Sequence, residues 1–254
     1  MVGGLHPVRV PSPGEESLRD LVRAREDVRG DLMRARHRVA KLLLRHDLRF
    51  EGNNWTSRHR DWLERVELPD PLAQSVLADG VGAIDALLLR RDSLERQLGE
   101  AVPASPFAET VARLRCLRGI DTLSAVGLCA EIGDFERFRR PAQLMSYVGL
   151  VPSENSTGER RRQGSITKSG SEHARRLLVE AAWHYRRAPR KGRELSRRQQ
   201  GQSQQVCAIS WKAQQRLHRT WRRLDHERGK RRTVCAVAVA RELAGFCWAV
   251  ATAD

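Results

Sequence analysis

The residues most able to do chemistry lie between Gly149 and Gly170. Ser153, Ser156, Thr157 and Ser165 supply hydroxyls, Arg160, Arg161 and Arg162 stand in a row, and Lys168 follows. A guanidinium presents a planar fork of N–H donors that matches phosphate oxygens, so three in succession call for an anion opposite them. A hydroxyl beside such a clamp is a candidate nucleophile toward a phosphodiester. The competing reading is a serine that closes a turn through its own side chain. Pro152, Gly158, Gly164 and Gly170 interrupt any regular period, so the stretch reads as a loop whose backbone can approach a ligand.

The elements that must position this loop read as mainly α. Residues 1–14 are rich in Pro and Gly and read as a linker, or as the remnant of a domain absent from these residues. From Glu15 to about Arg49, Leu18, Leu21, Val22, Val28, Leu32, Ala35, Val39, Leu42 and Leu43 recur at helical spacing, with charge on the other faces. Asp27 and Asp31 sit one turn apart, but Arg23, Arg34 and Arg38 are within reach, so surface ion pairs account for them. A short helix carrying Trp55 and Trp62 is expected next. A second long helix then runs from about Leu72 to Gly99, making residues 15–102 a coiled-coil-like hairpin suited to self-association. Pro103 and Pro106 mark a boundary, and 107–254 reads as a second domain.

In that second domain, two short helical patterns flank Gly119-Ile120, as in a helix-hairpin-helix whose turn amides hold a phosphate. Helix is expected to continue from Leu128 to Phe138, and Pro141 opens another helix through Tyr147. Ser169-Gly170-Ser171-Glu172 fits a capping box, followed by a helix burying Ala174, Leu177, Leu178, Ala181 and Tyr185. Residues 188–205 read as a loop and Val234–Val250 as a last apolar helix.

The net charge of +15 points to a polyanionic partner. Between Arg175 and Arg232 there are 18 Lys and Arg against four Asp and Glu, interleaved with Trp183, Tyr185, Trp211 and Trp221. Phosphate contact combined with base stacking is the reading this favours, with Arg175 and Arg176 among the contacts. Five scattered cysteines without a C-x-x-C pair read as free thiols. No apolar run is expected to span a bilayer and no signal peptide is evident, so no membrane partner is expected and the expected location is cytoplasmic.

Leu117-Arg118-Gly119-Ile120, Ala130-Glu131-Ile132-Gly133-Asp134, Tyr147-Val148-Gly149-Leu150-Val151-Pro152, Ser156-Thr157-Gly158, Gly164-Ser165-Ile166-Thr167-Lys168 and His173-Ala174-Arg175-Arg176-Leu177-Leu178 occur in one order. As a set they resemble the C-terminal part of the IS-one-ten class of bacterial insertion-sequence transposases, which are recombinases guided by a bridge RNA. The resemblance implies a nucleophilic serine at Ser156, with Thr157 next and Ser153 and Ser165 behind. It implies DNA and a structured guide RNA as partners, a dimer or tetramer, and a bacterial, nucleoid-associated setting. It also implies that Mg²⁺ belongs to an N-terminal RuvC-like domain, which these residues lack. The chain is therefore expected to be a truncated or split transposase, inactive alone. The alternative is a non-catalytic nucleic-acid-binding module that competes with a full-length enzyme.

Overall fold

The computed structural model describes residues 10–154 and 163–253. The described chain is mainly α. Its helices are α1 (Pro13–Arg45), α2 (Ser57–Leu63), α3 (Pro71–Ala101), α4 (Ala108–Leu114), α5 (Thr122–Ile132) and α6 (Pro141–Tyr147). Strands β1 (Pro152–Glu154) and β2 (Gln163–Ile166) follow, then α7 (Glu172–Ala182), α8 (Arg193–Arg198), α9 (Gln204–Arg222) and α10 (Arg232–Ala251). The chain divides into two compact units. One runs from Arg23 to Gln97; the other joins the residues up to Val22 with those from Leu98 onward.

In the Arg23–Gln97 unit, the apolar stripe of α1 buries Leu32, Ala35, Val39, Leu42 and Leu43 against Leu63, Val66, Leu77 and Ile84. Charged pairs fix the register: Arg25 meets Glu95 at 2.5 Å and Arg60 meets Asp85 at 2.6 Å. Arg34 pairs with Asp31, the second of the two carboxylates set one turn apart. At the hairpin's corner His59 packs its ring 5.0 Å from Phe50 and 5.0 Å from Trp55, with Trp62 at 5.6 Å. Trp55 lies ahead of α2 rather than within it, at φ 66. The helix starts only after Thr56, whose hydroxyl accepts from the His59 N–H.

The other unit is built around α10, whose Cys235, Ala236, Val239, Ala240, Leu243, Ala244 and Cys247 are all buried. Its small residues let α6, α7 and α9 pack closely on it. Four sequence expectations change here. Helix α5 stops at Ile132 instead of running to Phe138, because Gly133 turns the backbone to φ 71. Residues 188–205 are not all loop: α8 forms within them and buries Leu195. Ser171 alone caps α7, accepting the Ala174 N–H, and Glu172 is already the first helical residue, so the capping-box spacing is not used. Finally, α3 and α10 are both long and apolar enough to cross a membrane, with 18-residue windows of mean hydropathy 1.5 and 1.7. The α10 window is half buried in the core of its unit. All five cysteines are free thiols, and Cys207 alone is not fully buried.

Candidate phosphodiester and nucleic-acid site

The stretch read as one loop contains a two-stranded antiparallel hairpin stem. Pro152 pairs with Ile166 and Glu154 with Gln163, with an irregularity between them. The Ser153 hydroxyl donates across the stem to the Ser165 carbonyl at 3.0 Å. Ser156, Thr157, Arg160, Arg161 and Arg162 lie outside the described residues; the two strands bracket them in sequence.

The base of the stem is made by two glycines where the chain crosses itself. A Cβ on Gly149 would stand 2.3 Å from the Ser169 carbonyl, and one on Gly170 would stand 2.0 Å from the Tyr147 carbonyl. Both have φ 67, so any other residue would be strained as well as obstructed. The Lys168 N–H donates to the Gly149 carbonyl at 3.1 Å, and Lys168 itself takes φ 57, a left-handed conformation that is rare for a long side chain. Arg175 closes the crossing: its Nη1 donates to the Val148 carbonyl at 2.9 Å and the Ser169 carbonyl at 2.8 Å.

A second tie joins α5 to the start of α7. Glu131 Oε2 accepts from the Ser171 hydroxyl at 2.8 Å, while Oε1 lies 3.5 Å from His173 Nδ1. The sequence signalled Glu131 and His173 only as members of motif strings; the 42-residue gap between them hides the contact.

The remaining site residues divide. Arg176 pairs with Glu180 at 2.8 Å along α7. Gly119, at φ 84, lets the α4–α5 turn pack against the end of α7, since a Cβ there would be 2.7 Å from the Ala181 carbonyl. Ile120 is buried and its carbonyl accepts from Arg198. The N-terminus of α5 carries the Asp121 carboxylate, which accepts the Ser124 N–H at 2.8 Å. A phosphate at this turn would have to displace that carboxylate.

The aromatic residues of the basic stretch also divide. Tyr185 and Trp221 are buried in the core, whereas Trp183 and Trp211 are 38% and 43% exposed. Around the α4–α5 turn, the guanidiniums of Arg118 and Arg198 serve backbone carbonyls, and burial pushes both pKa values below the usual arginine range. Burial, reinforced by Arg118, Arg187 and Arg198, lowers the pKa of His184. No three His, Cys, Asp or Glu converge on a possible metal position among the described residues.

A helical module that carries a β-hairpin, two crossing glycines and a strongly basic second half is what the fold and site define. Residues 111–197 match the family model described as "Transposase IS116/IS110/IS902 family". A Sinorhizobium fredii protein, y4qE, that bears a transposase name is 42% identical over 250 residues, which span 98% of this chain and 60% of that protein. The transposase for insertion sequence element IS1533 of Leptospira borgpetersenii is 30% identical, over 87% of this chain and 64% of its own length. The transposase for insertion sequence element IS1111A of Coxiella burnetii is 33% identical over 96 residues, covering 37% of this chain and 26% of its own. This chain carries that family's domain at residues 111–197 and is similar to proteins with transposase names over up to 98% of its length. It spans less than two thirds of the length of each of these three relatives.

Proposed function

We propose that the chain is the serine-bearing part of a DNA transposase, in which Ser156 attacks a phosphodiester. The Ser156 Oγ forms a new P–O bond while a DNA oxygen leaves and takes a proton. One phosphoester replaces another, so strand exchange needs no nucleotide energy source. Arg160, Arg161, Arg162 and Lys168 would neutralise charge that grows on the phosphoryl oxygens, and Thr157 is the runner-up nucleophile. Metal chemistry would come from a RuvC-like domain outside these residues, and a structured RNA would guide the choice of site. A dimer or tetramer is the proposed assembly.

The observation that carries this reading is the hairpin stem. Gly149, Gly170 and Arg175 lock both ends of the segment that contains Ser156 and the three arginines. Fixed flanks of this kind suit a group that must be aimed. The reading is tested by a strand-transfer assay in which a RuvC-like domain and guide RNA are supplied with Mg²⁺. Ser156→Ala is expected to abolish transfer and Thr157→Ala to retain it. Transfer that survives Ser156→Ala but not Thr157→Ala moves the nucleophile by one residue; indifference to both overturns the serine mechanism. A chain that binds nucleic acid yet supports no transfer under any condition is the non-catalytic competitor instead.

A further inference from the structure

A cavity of about 230 Å³ lies beside α9, lined by Lys191, Gln199, Cys207, Trp211 and Gln214. Trp211 is 43% exposed, while Gln199 and Gln214 are 8% and 2% exposed. Internal hydrogen bonds fix which way each carboxamide points. Gln199 Nε2 donates to the Cys116 carbonyl at 3.2 Å and to the Ser210 hydroxyl at 3.1 Å. Gln214 Oε1 accepts from the Arg190 N–H at 3.0 Å and from Arg118 Nη1 at 3.5 Å. The Cys116 carbonyl needs a donor and the Arg190 N–H an acceptor, which fixes the nitrogen of one carboxamide and the oxygen of the other.

Each side chain therefore has its other polar atom left over. Gln199 offers the acceptor Oε1 and Gln214 the donor Nε2, and neither has a hydrogen-bond partner among the described residues. Neither open atom is among the buried unpaired polar atoms of the described residues, so both reach solvent and are available to a ligand. Trp211 and Lys191 line the same cavity. It lies within the stretch that carries 18 Lys and Arg against four Asp and Glu.

We infer that this cavity takes one unpaired nucleobase of a nucleic-acid strand. The base stacks on Trp211, its polar edge meets Gln199 Oε1 and Gln214 Nε2, and its phosphate lies near Lys191. A paired base within a duplex has its polar edge occupied, so the cavity selects single-stranded or flipped-out nucleotides. This inference rests on the nucleic-acid reading above, but it concerns a site remote in sequence from Ser156.

Binding of the full chain to three probes separates the two. The probes are a short single-stranded DNA oligonucleotide, an abasic copy of that strand, and the same sequence as duplex. Trp211→Ala is expected to weaken the single strand about tenfold, within the range for one stacked base. The abasic strand and the duplex should be unaffected, and Trp211→Phe should keep most of the affinity. In the unaltered chain, the base-bearing strand should also protect the Cys207 thiol from alkylation, whereas the abasic strand should not. Equal losses on all three probes, no loss on any, or Cys207 left unprotected overturns the inference. An unaltered chain that binds none of the three overturns the nucleic-acid reading itself.

Discussion

At the residue scale, the hairpin stem depends on groups whose work is internal. Arg175 was a phosphate candidate from its charge alone, yet its guanidinium serves the carbonyls of Val148 and Ser169. Charge-assisted bonds of this kind contribute about 1.5–3 kcal/mol each. Arg175→Ala should therefore destabilise the chain by about 2 kcal/mol, read as a lower midpoint in urea. The amides of Thr167 and Lys168, which donate to the Val151 and Gly149 carbonyls, should exchange faster. Unchanged stability together with weaker DNA binding would return Arg175 to the phosphate-binding set. His59 gives a second residue-scale expectation. Burial, and Arg60 after it, lower its pKa from the ordinary 6.5. The folded state thus prefers the neutral ring. Its contribution to stability is complete above pH 6.5 and is lost as the pH falls from there through the folded pKa. His59→Phe should flatten that fall in hydrogen-exchange measurements on residues 57–68; an unchanged profile would assign it to other groups.

At the scale of elements, periodicity made the long helices legible, because α1 and α10 bury one continuous stripe or nearly every face. The basic, turn-rich middle was less so. Residues 188–205 carry Gly192 and a Gln/Ser cluster, which hid α8. That helix is six residues long and held by tertiary burial of Leu195 instead of by its own propensity. The hairpin was hidden by Gly149, Gly164 and Gly170, which read as loop breakers. In fact Gly149 and Gly170 permit a backbone crossing that no local signal announces. Contacts between α5 and α7, such as Glu131 with Ser171, depend on partners distant in sequence and could not be read from spacing. On α3, Leu72, Val76 and Leu89 stay 77%, 57% and 73% exposed. Large apolar side chains left in water favour a second copy, since pairing removes them from it. A fragment of residues 15–100 should scatter light as a dimer or larger at high micromolar concentration. Only monomer there would contradict this.

At the scale of the whole molecule, the charge of +15 and the position of Ser156 in the sequence between β1 and β2 motivate the proposed function. Binding to DNA or structured RNA should weaken steeply with salt, because each phosphate neutralised releases condensed counterions. A flat dependence between low and moderate ionic strength would remove nucleic acid as the partner. The central claim concerns the covalent step, and it is tested most directly by trapping the protein on DNA and locating the linked residue by mass spectrometry. With a RuvC-like domain, guide RNA and Mg²⁺ supplied, the account predicts a DNA phosphate on Ser156. Ser156→Ala should remove that adduct with binding nearly intact, and Arg161→Ala should weaken adduct and binding together. Under the same conditions, strand transfer that proceeds without any protein–DNA adduct, or with an adduct on a residue outside 153–165, would contradict it.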